Sequence, residues 1–600
     1  MSNELILQPH NVMRENSVDG SIILRSGQQQ GLVVETTCVW LKHWAKHGPN
    51  RIFLAERSGA GWRGETYSSA FEKVLAIASA LVARGLNAAT PIAILSGNSI
   101  DHGLLVLAAQ YVGVPTVTLA EQYAVIAEAH PRLVHAIDLV KPKMAYVSDA
   151  QKFALALALP AFADVEIVAS APAGQTGVTD FADLLKGANA DLVTVHRNVG
   201  PDTIAKILLT SGSTGSPKGV LTTQRMLCVN QTQITDAYPF IKDHPPQIVD
   251  WLPWNHVFGG SHNFNLVLAN GGSLYIDDGK PLAGPFQRTI ENLRMVKPTI
   301  AFNVPVGFSM LLQALKNDIP LQHQFFSDLD FVFYAGASLP QDVWDGFAKM
   351  AAETGARVPL MATGWGLTEG GPSCTFQHEA SRRTGEIGVP VTGVEIKLIA
   401  DEAGRYEARV KGPNVTPGYF NAPEATAAAF DEEGYFITGD AFRIIDENRL
   451  SDGLRFDGRI SEDFKLVTGT WVRATNLRLD LLAAIADLAF DIVLTGIDRN
   501  EIGVLIFPRK GAVADGMSDG EVYSGTATFA PFKKRLAELA ATASGTSQRI
   551  GRAMLMAEPA SLTEGEMTAK GNLNFRRILT RRAAIVNRLY DDADLALIRV

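Results

Sequence analysis

The chain has 600 residues, more than one hydrophobic core fills, and a soft expectation is roughly four structural units. Its 46% hydrophobic and 20% charged residues are ordinary globular usage, which excludes a disordered or fibrous chain. With 54 Lys+Arg against 63 Asp+Glu, the formal charge of -9 argues against a general nucleic-acid or anionic-membrane coat and leaves room only for a local basic patch.

The N-terminal run carries Glu4 early and lacks the basic-then-apolar order of a secretion signal. Cys38, Cys228 and Cys374 are odd in number and too far apart for a metal knuckle, which points to reduced thiols in a cytoplasmic protein. Between about 65 and 120 the pattern alternates helix and strand. Phe71, Val74, Leu75, Ala78, Leu81 and Val82 recur at helical spacing, and Gly85 sits where a C-terminal cap belongs. Ile92–Leu95 reads as a buried strand, and Asn98 or Ser99 as the N-cap of the next helix. Phe153–Ala163 is apolar but too short to span a bilayer and contains Pro160. The rhythm repeats near 136–170, 248–276, 290–313 and 331–350, predicting α/β layers with crossovers.

From about 384 the texture changes. Glu395–Ile399, Arg405–Val410 and Phe442–Ile445, separated by Gly, Pro and Asp, predict a small β-rich subdomain. Beyond Gly458 come a helix around Leu477–Leu488, strands at Asp491–Thr495 and Gly503–Pro508, and a loop over 511–527. The fold class expected is therefore α/β: residues 1–457 form a large N-terminal domain of layered sheets with the β-rich subdomain, and 458–600 a small α+β C-terminal domain.

The most informative segment follows the apolar strand Ile207-Leu208-Leu209. Thr210, Ser211, Gly212, Ser213, Thr214, Gly215, Ser216, Pro217 and Lys218 combine small hydroxyl and glycine positions with a closing lysine. Glycines let backbone N–H groups converge on an anion, hydroxyls add donors, and the lysine adds a full charge. The spacing Gly-x-x-x-x-Gly-Lys-Ser/Thr is unmet around Lys218, so this is a phosphate loop of another kind than the Walker A loop.

Here the chain resembles the adenylate-forming ligases, the superfamily of acyl-CoA synthetases, luciferase and peptide-synthetase adenylation domains. The loop is similar to their TSGSTGxPKG signature. Trp251-Leu-Pro-Trp-Asn-His256, Tyr334-Ala-Gly-Ala-Ser338, Gly364-Trp-Gly-Leu-Thr-Glu369, Gly434-Tyr-Phe-Ile-Thr-Gly-Asp440 and Asp457-Gly-Arg459 follow in the family's order. Together they run from about residue 35 to 580. Trp251–Asp277, Tyr334–Gln341 and Ser461–Val472 resemble the bacterial feruloyl-CoA synthetase branch in particular.

The resemblance implies ATP, Mg²⁺ and coenzyme A as reactants and cofactors. A carboxylate attacks the α-phosphate of ATP, and the CoA thiol then displaces AMP from the acyl-adenylate. Thr210–Lys218 would hold the β- and γ-phosphates, Glu369 the Mg²⁺, and Thr368 would lie near the α-phosphate. Trp365 and Gly366, with Gly336 and Ala337, would border adenine. Asp440 and Arg459 would reach the ribose or phosphates, and Lys465 belongs to the segment after the hinge. His256 would gate between acid and thiol. Lys570, on a Thr/Gly-flanked loop before Arg576 and Arg577, is the candidate adenylation lysine, delivered by rotation of the C-terminal domain about 457–459. Phe258, Gly260, His262, Asn263, Asn303 and Gly336 are the candidate acyl pocket, and small glycines with a few polar groups suit a flat hydroxylated aromatic acid.

The function expected is an AMP-forming CoA ligase for a hydroxycinnamic acid of the ferulate or p-coumarate type. An adenylate-forming ligase for a fatty or other aromatic acid remains the alternative, as does a carrier-protein thiol acceptor, and a nucleotide-binding relative without turnover is the non-enzyme reading. The partners expected are small molecules, with no nucleic acid or membrane, in a cytoplasmic monomer or homodimer. The stretch Arg576, Arg577, Arg581, Arg582 and Arg588 fits either CoA phosphates or a solvated helix face.

Overall fold

The computed structural model describes residues 5–211, 217–282, 284–336, 339–381, 383–401, 405–509, 511–513, 517–543, 545–561, 564–567 and 573–600. They divide into two units. The first comprises Met1–Ala400, Ala408–Thr438 and Arg443–Phe456, and the second Asp401–Glu407, Gly439–Phe442 and Asp457–Val600.

In the first unit a seven-stranded sheet runs in the order Pro217–Thr223, Ile204–Ser211, Thr116–Thr118, Ile92–Ile94, Met144–Asp149, Glu166–Ala171, Val178–Asp180. All its pairs are parallel except the first, a hairpin. Its central strands, Thr116–Thr118, Ile92–Ile94 and the first four residues of Met144–Asp149, are buried throughout, as crossover helices on both faces require. Leu133, Ile137 and Phe153 meet Val117, Val147 and Ile207 in one cluster. The local signals hold where they were strongest. Ser99 caps Ile100–Tyr111 by accepting from the His102 N–H, and Gly85 ends Tyr67–Ala83 with φ +75°.

A four-stranded sheet (Gln247–Asp250, Ser273–Ile276, Ile52–Ser58, Gly61–Thr66) and a parallel three-stranded sheet (Ile300–Asn303, Phe331–Tyr334, Leu360–Thr363) are joined at one point. There the Gln247 N–H donates to Thr299 Oγ1 at 2.8 Å and the Thr299 N–H to the Gln247 carbonyl at 2.9 Å. Period-2 alternation splits the third sheet's side chains. Val332 and Tyr334 pack with Phe308, Leu312 and Phe347 of the covering helices, while Phe302 and Phe333 meet Phe258 and His262 on the opposite side.

The β-rich part expected after 384 is an eight-stranded sheet, and the sequence reading had not foreseen its outer strands. Val12–Asn16 and Ile22–Ser26 form a hairpin, and Ile22–Ser26 pairs antiparallel with Glu395–Ala400 some 370 residues onward.

In the second unit Ala489–Thr495, Ile502–Pro508, Ile550–Leu555 and Ile598–Arg599 form a sheet with helices on both faces. Ile492, Leu494, Val504 and Ile506 face Leu477, Leu481, Phe532 and Leu536. The alternate positions Val493, Leu505 and Phe507 face Ile578, Ile585 and Leu589. The expected helix is observed at Ala474–Ala484, and the expected loop over 511–527 contains the short pair Met517–Ser518 and Tyr523–Ser524. No described helix is long and apolar enough to cross a membrane, and Cys38, Cys228 and Cys374 are buried thiols.

Candidate active site

The phosphate segment is a β-hairpin in which Thr210 lies opposite Lys218 and Ser211 opposite Pro217. Its tip, Gly212, Ser213, Thr214, Gly215 and Ser216, lies outside the described residues, as do Ala337 and Lys570. A third strand-like segment is laid on the hairpin: the Leu221 N–H donates to the Gly418 carbonyl at 3.1 Å, and the Phe420 N–H to the Gly219 carbonyl at 2.7 Å. That pairing sets the Tyr419 ring beneath Lys218, whose Nζ lies 4.9 Å from the ring centroid. The Tyr419 hydroxyl donates to Glu369 Oε1 at 3.0 Å. Burial, reinforced by the Glu369 charge, holds the phenol well above its ordinary pKa, so it stays protonated and keeps donating.

Glu369 sits in the 3₁₀ turn Thr368–Gly370, after the strand Leu360–Thr363. Its own carbonyl accepts from the Thr416 N–H at 2.7 Å, and Asn414 Nδ2 donates to the Gly370 carbonyl at 2.6 Å. The last two carbonyls of the turn are thereby fixed. Trp365 is 7% exposed, and its N–H donates to Thr375 Oγ1 at 3.0 Å. Gly366 and Gly336, by contrast, are exposed.

The acyl candidates cluster after the strand Gln247–Asp250. His256 is half-buried; its Nδ1 accepts from the Phe258 N–H at 3.4 Å. Phe258–Asn263 then forms a π-helical turn that leads into the α-helix Phe264–Asn270. Single π turns are uncommon and frequent at functional sites. Two glycines permit this one, since a Cβ on Gly259 would stand 2.4 Å from the Leu252 carbonyl oxygen and one on Gly260 2.2 Å from that of Trp254.

Buried side chains reach the carbonyls of this wide turn. Lys206 Nζ donates to the Gly260 carbonyl. Gln231 Nε2 reaches the Ser261 and His262 carbonyls at 3.4 and 3.1 Å, and Asn265 Nδ2 reaches the former at 2.8 Å. Three consecutive acceptors are thus satisfied out of water. Lys206 lies on the same strand as Thr210, so one element carries both an arm of the hairpin and a brace of the π turn. Burial pushes the Lys206 ammonium down to about 7.

His262 and Asn263 are the inward side chains of the turn. His262 Nδ1 lies 2.8 Å from Asn263 Oδ1, and Asn263 Nδ2 donates to Asp250 Oδ2 at 2.9 Å. Burial lowers His262 to about 4 and raises the Asp250 carboxyl to about 7. Asn303 is buried and accepts from Trp251 Nε1 at 3.1 Å and from the Val304 N–H at 2.9 Å.

In the second unit, Asp440 is buried and Arg459 Nε lies 3.4 Å from its Oδ1. Gly458 has φ +96°, and a Cβ there would meet Thr475 at 2.9 Å. Lys465 Nζ lies 4.8 Å from the centroid of the exposed Trp471 ring. Of the basic stretch, Arg581 and Arg582 pair with Glu558 and Glu566, and Arg588 pairs with Asp519, Glu521 and Asp594.

Among the described sequence candidates, Lys218 and Glu369 are assembled around Tyr419 with Thr210 opposite Lys218 in the hairpin, and Phe258, His262 and Asn263 are assembled on the π turn. Tyr419, Lys206, Gln231 and Asp250 were missed. Lys206 carried a signal, a lone charge inside the apolar run Ile204–Leu209; Tyr419 carried only a Pro-Gly turn before an aromatic pair. Among the described residues no group of three or more His, Cys, Asp or Glu converges as a metal cage. Glu369 as a single carboxylate suits a Mg²⁺ ion that completes its shell with phosphate oxygens and water.

The AMP-binding enzyme family model matches residues 41–420. A long-chain-fatty-acid–CoA ligase of Bacillus subtilis is 28% identical over 269 residues, 43% of this chain and 45% of that protein. An anthranilate–CoA ligase of Pseudomonas aeruginosa is 30% identical over 317 residues, 51% of this chain and 56% of that protein. The chain thus spans about half the length of these curated relatives. ATP-bound MatB of Rhodopseudomonas palustris shares the fold with a TM-score of 0.69 at 22% identity, over 92% of this chain and 99% of that one. A family model that covers most of the chain, on the fold just described, places this protein in the AMP-binding enzyme family.

Proposed function

We propose that the protein is an ATP-dependent, AMP-forming carboxylate–CoA ligase that converts a hydroxycinnamic acid of the ferulate or p-coumarate type to its CoA thioester. The observation that carries the adenylation reading is the Lys218–Tyr419–Glu369 array. One phenol presents an ammonium over its face and a carboxylate at its hydroxyl, so polyphosphate and divalent cation each have a partner on the same rigid ring.

In the first half-reaction a carboxylate oxygen bonds to the α-phosphorus while the bond to the bridging oxygen breaks and pyrophosphate leaves. Both reactants are anions, so the protein's work is positioning and charge compensation. Thr210, Lys218 and the loop tip hold the β- and γ-phosphates, and Thr368 lies by the α-phosphate. Glu369 would hold Mg²⁺, which would supply compensating positive charge. Trp365, Gly366, Gly336 and Ala337 border the adenine, and Asp440 and Arg459 take the ribose hydroxyls. Lys570 bridges the attacking carboxylate and the α-phosphate.

In the second half-reaction the CoA sulfur bonds to the acyl carbon, its proton passes to solvent, and AMP departs with the electrons of the broken C–O bond. His256 stands at the acid's entrance to the thiol path. The C-terminal unit, 458–600, exchanges Lys570 for the CoA arm by rotating at Gly458, with Lys465 beside that path.

The cluster of aromatic rings at Phe258, Phe302 and Phe333, beside the small residues Gly259 and Gly260, is what supports a flat aromatic acid. A fatty acid or an aminobenzoate is the second reading, favoured by what the two ligases above are named for. A panel of ferulate, p-coumarate, anthranilate and fatty acids, with ATP, Mg²⁺ and CoA, tests it by AMP and pyrophosphate release. The hydroxycinnamates are expected to give the highest kcat/KM; release of ADP would reject the mechanism, and preference for a fatty acid the substrate class.

A further inference from the structure

The π turn holds a buried acceptor that nothing among the described residues satisfies. Asp250 accepts from the Leu252 N–H on Oδ1 at 3.0 Å and from Asn263 Nδ2 on Oδ2 at 2.9 Å. With its amide nitrogen committed to that carboxyl group, Asn263 turns its oxygen to His262 Nδ1 at 2.8 Å, so the imidazole proton sits on Nδ1. Nε2 then carries a lone pair. His262 is 2% exposed, and its Nε2 has no hydrogen-bond partner among the described residues. Buried polar groups in native proteins nearly always find partners, and an exception asks for a reason.

Aromatic rings surround this nitrogen's ring. Phe333 stacks on the imidazole with centroids 5.4 Å apart at 28°, and Phe302, Phe258 and Phe376 stand edge-on at 5.5, 5.7 and 6.3 Å. None of these neighbours can donate a hydrogen bond. Phe258, two residues from His256, is the only one of these four rings that is half-buried; Phe302, Phe333 and Phe376 are buried. A flat aromatic guest would replace those ring contacts and bring the missing donor.

We propose that His262 Nε2 accepts a hydrogen bond from a phenolic hydroxyl on the ring of the carboxylate substrate, and that Asn263 and Asp250 are positioning residues that fix the tautomer leaving this nitrogen bare. The inference rests on the ligase reading above and names the feature of the substrate that this pocket reads. Neutral imidazole is required for it, and burial keeps His262 neutral down to about pH 4.

The test is a matched pair of acids, p-coumarate and cinnamate, which differ only by the ring hydroxyl, assayed by AMP release. A buried hydrogen-bonding site rejects the analogue lacking its partner strongly, so wild-type kcat/KM is expected to favour p-coumarate by about a hundredfold or more. In His262→Phe that ratio falls to near one while turnover of cinnamate persists, which shows that the variant is folded. His262→Gln, whose amide oxygen can accept, restores part of the preference. Asn263→Leu, which releases the tautomer, lowers the ratio without changing the KM for ATP. Equal use of both acids by the wild type, or an unchanged preference in His262→Phe, overturns the assignment while leaving the ligase intact. A preference for anthranilate over benzoate that His262→Phe removes overturns the hydroxyl in favour of a ring amine. Failure of both acids in the wild type sinks the hydroxycinnamate reading itself.

Discussion

Lys206→Met tests whether a buried charge braces the acyl pocket. The wild-type ammonium is 5% exposed, donates to the Gly260 carbonyl and has no acidic partner among the described residues. Burial lowers its pKa from 10.5 to about 7. At about 1.4 kcal/mol per tenfold change, the buried charged form is disfavoured by about 5 kcal/mol relative to the unfolded chain. The sign follows from proton counting. Between about pH 7 and 10.5 the unfolded chain keeps a proton that the folded protein has released, so stability rises with pH; below pH 7 both states hold it and the slope vanishes. Wild type should therefore gain about 2 kcal/mol relative to Lys206→Met between pH 7 and 9. Urea unfolding followed by tryptophan fluorescence reads the right part of the molecule, because of the eight tryptophans only Trp471 lies in the second unit. At neutral pH the variant also loses the donor on Gly260, and KM for the carboxylate should rise several-fold while KM for ATP changes little. Wild-type and variant stabilities that run parallel from pH 7 to 9 would refute the reasoning, because they would mean that the amine titrates as it does in water.

Asp250→Asn should show the opposite pH trend. The folded carboxyl titrates at about 7 against 3.8 in the unfolded chain, so wild type loses on the order of 4 kcal/mol relative to the variant as pH rises from about 4 to 7. Flat difference curves over that window in urea titrations would contradict it. Glu369→Gln should lower adenylate formation by about a hundredfold or more and raise the Mg²⁺ concentration needed for half-maximal rate; pyrophosphate exchange at graded Mg²⁺ reads both, and an unchanged Mg²⁺ requirement argues that another group holds the cation. Lys570→Ala should cripple adenylate formation yet leave thioester formation from supplied feruloyl-adenylate largely intact. Equal loss in both half-reactions would remove Lys570 from its assigned role.

What was legible in the sequence is what a contiguous stretch can encode. Ser99 as an N-cap, Gly85 at a helix end and the alternating apolar strands depend on neighbours within about a turn of chain. The proposed phosphate loop could be singled out for the same reason: glycine, hydroxyl and lysine positions follow one another in a single stretch of chain. Gly259, Gly260, His262 and Asn263 stood out as candidates because they are adjacent, whereas their π-helical geometry was not legible.

Tertiary structure alone decided the partners that arrive from elsewhere. Ile22–Ser26 pairs with Glu395–Ala400, some 370 residues away, and Tyr419 reaches Lys218 and Glu369 only because its segment is laid on the hairpin. Lys206 and Gln231 stand 54 and 30 residues from the carbonyls they hold. A π turn leaves carbonyls for side chains to satisfy, and which side chains do so is set by how sheets and helices stack. Sequence therefore determined the reactive groups, while three-dimensional packing decided their protonation, because the burial that moves Lys206, Asp250 and His262 from their ordinary pKa values exists only once distant segments have closed over them.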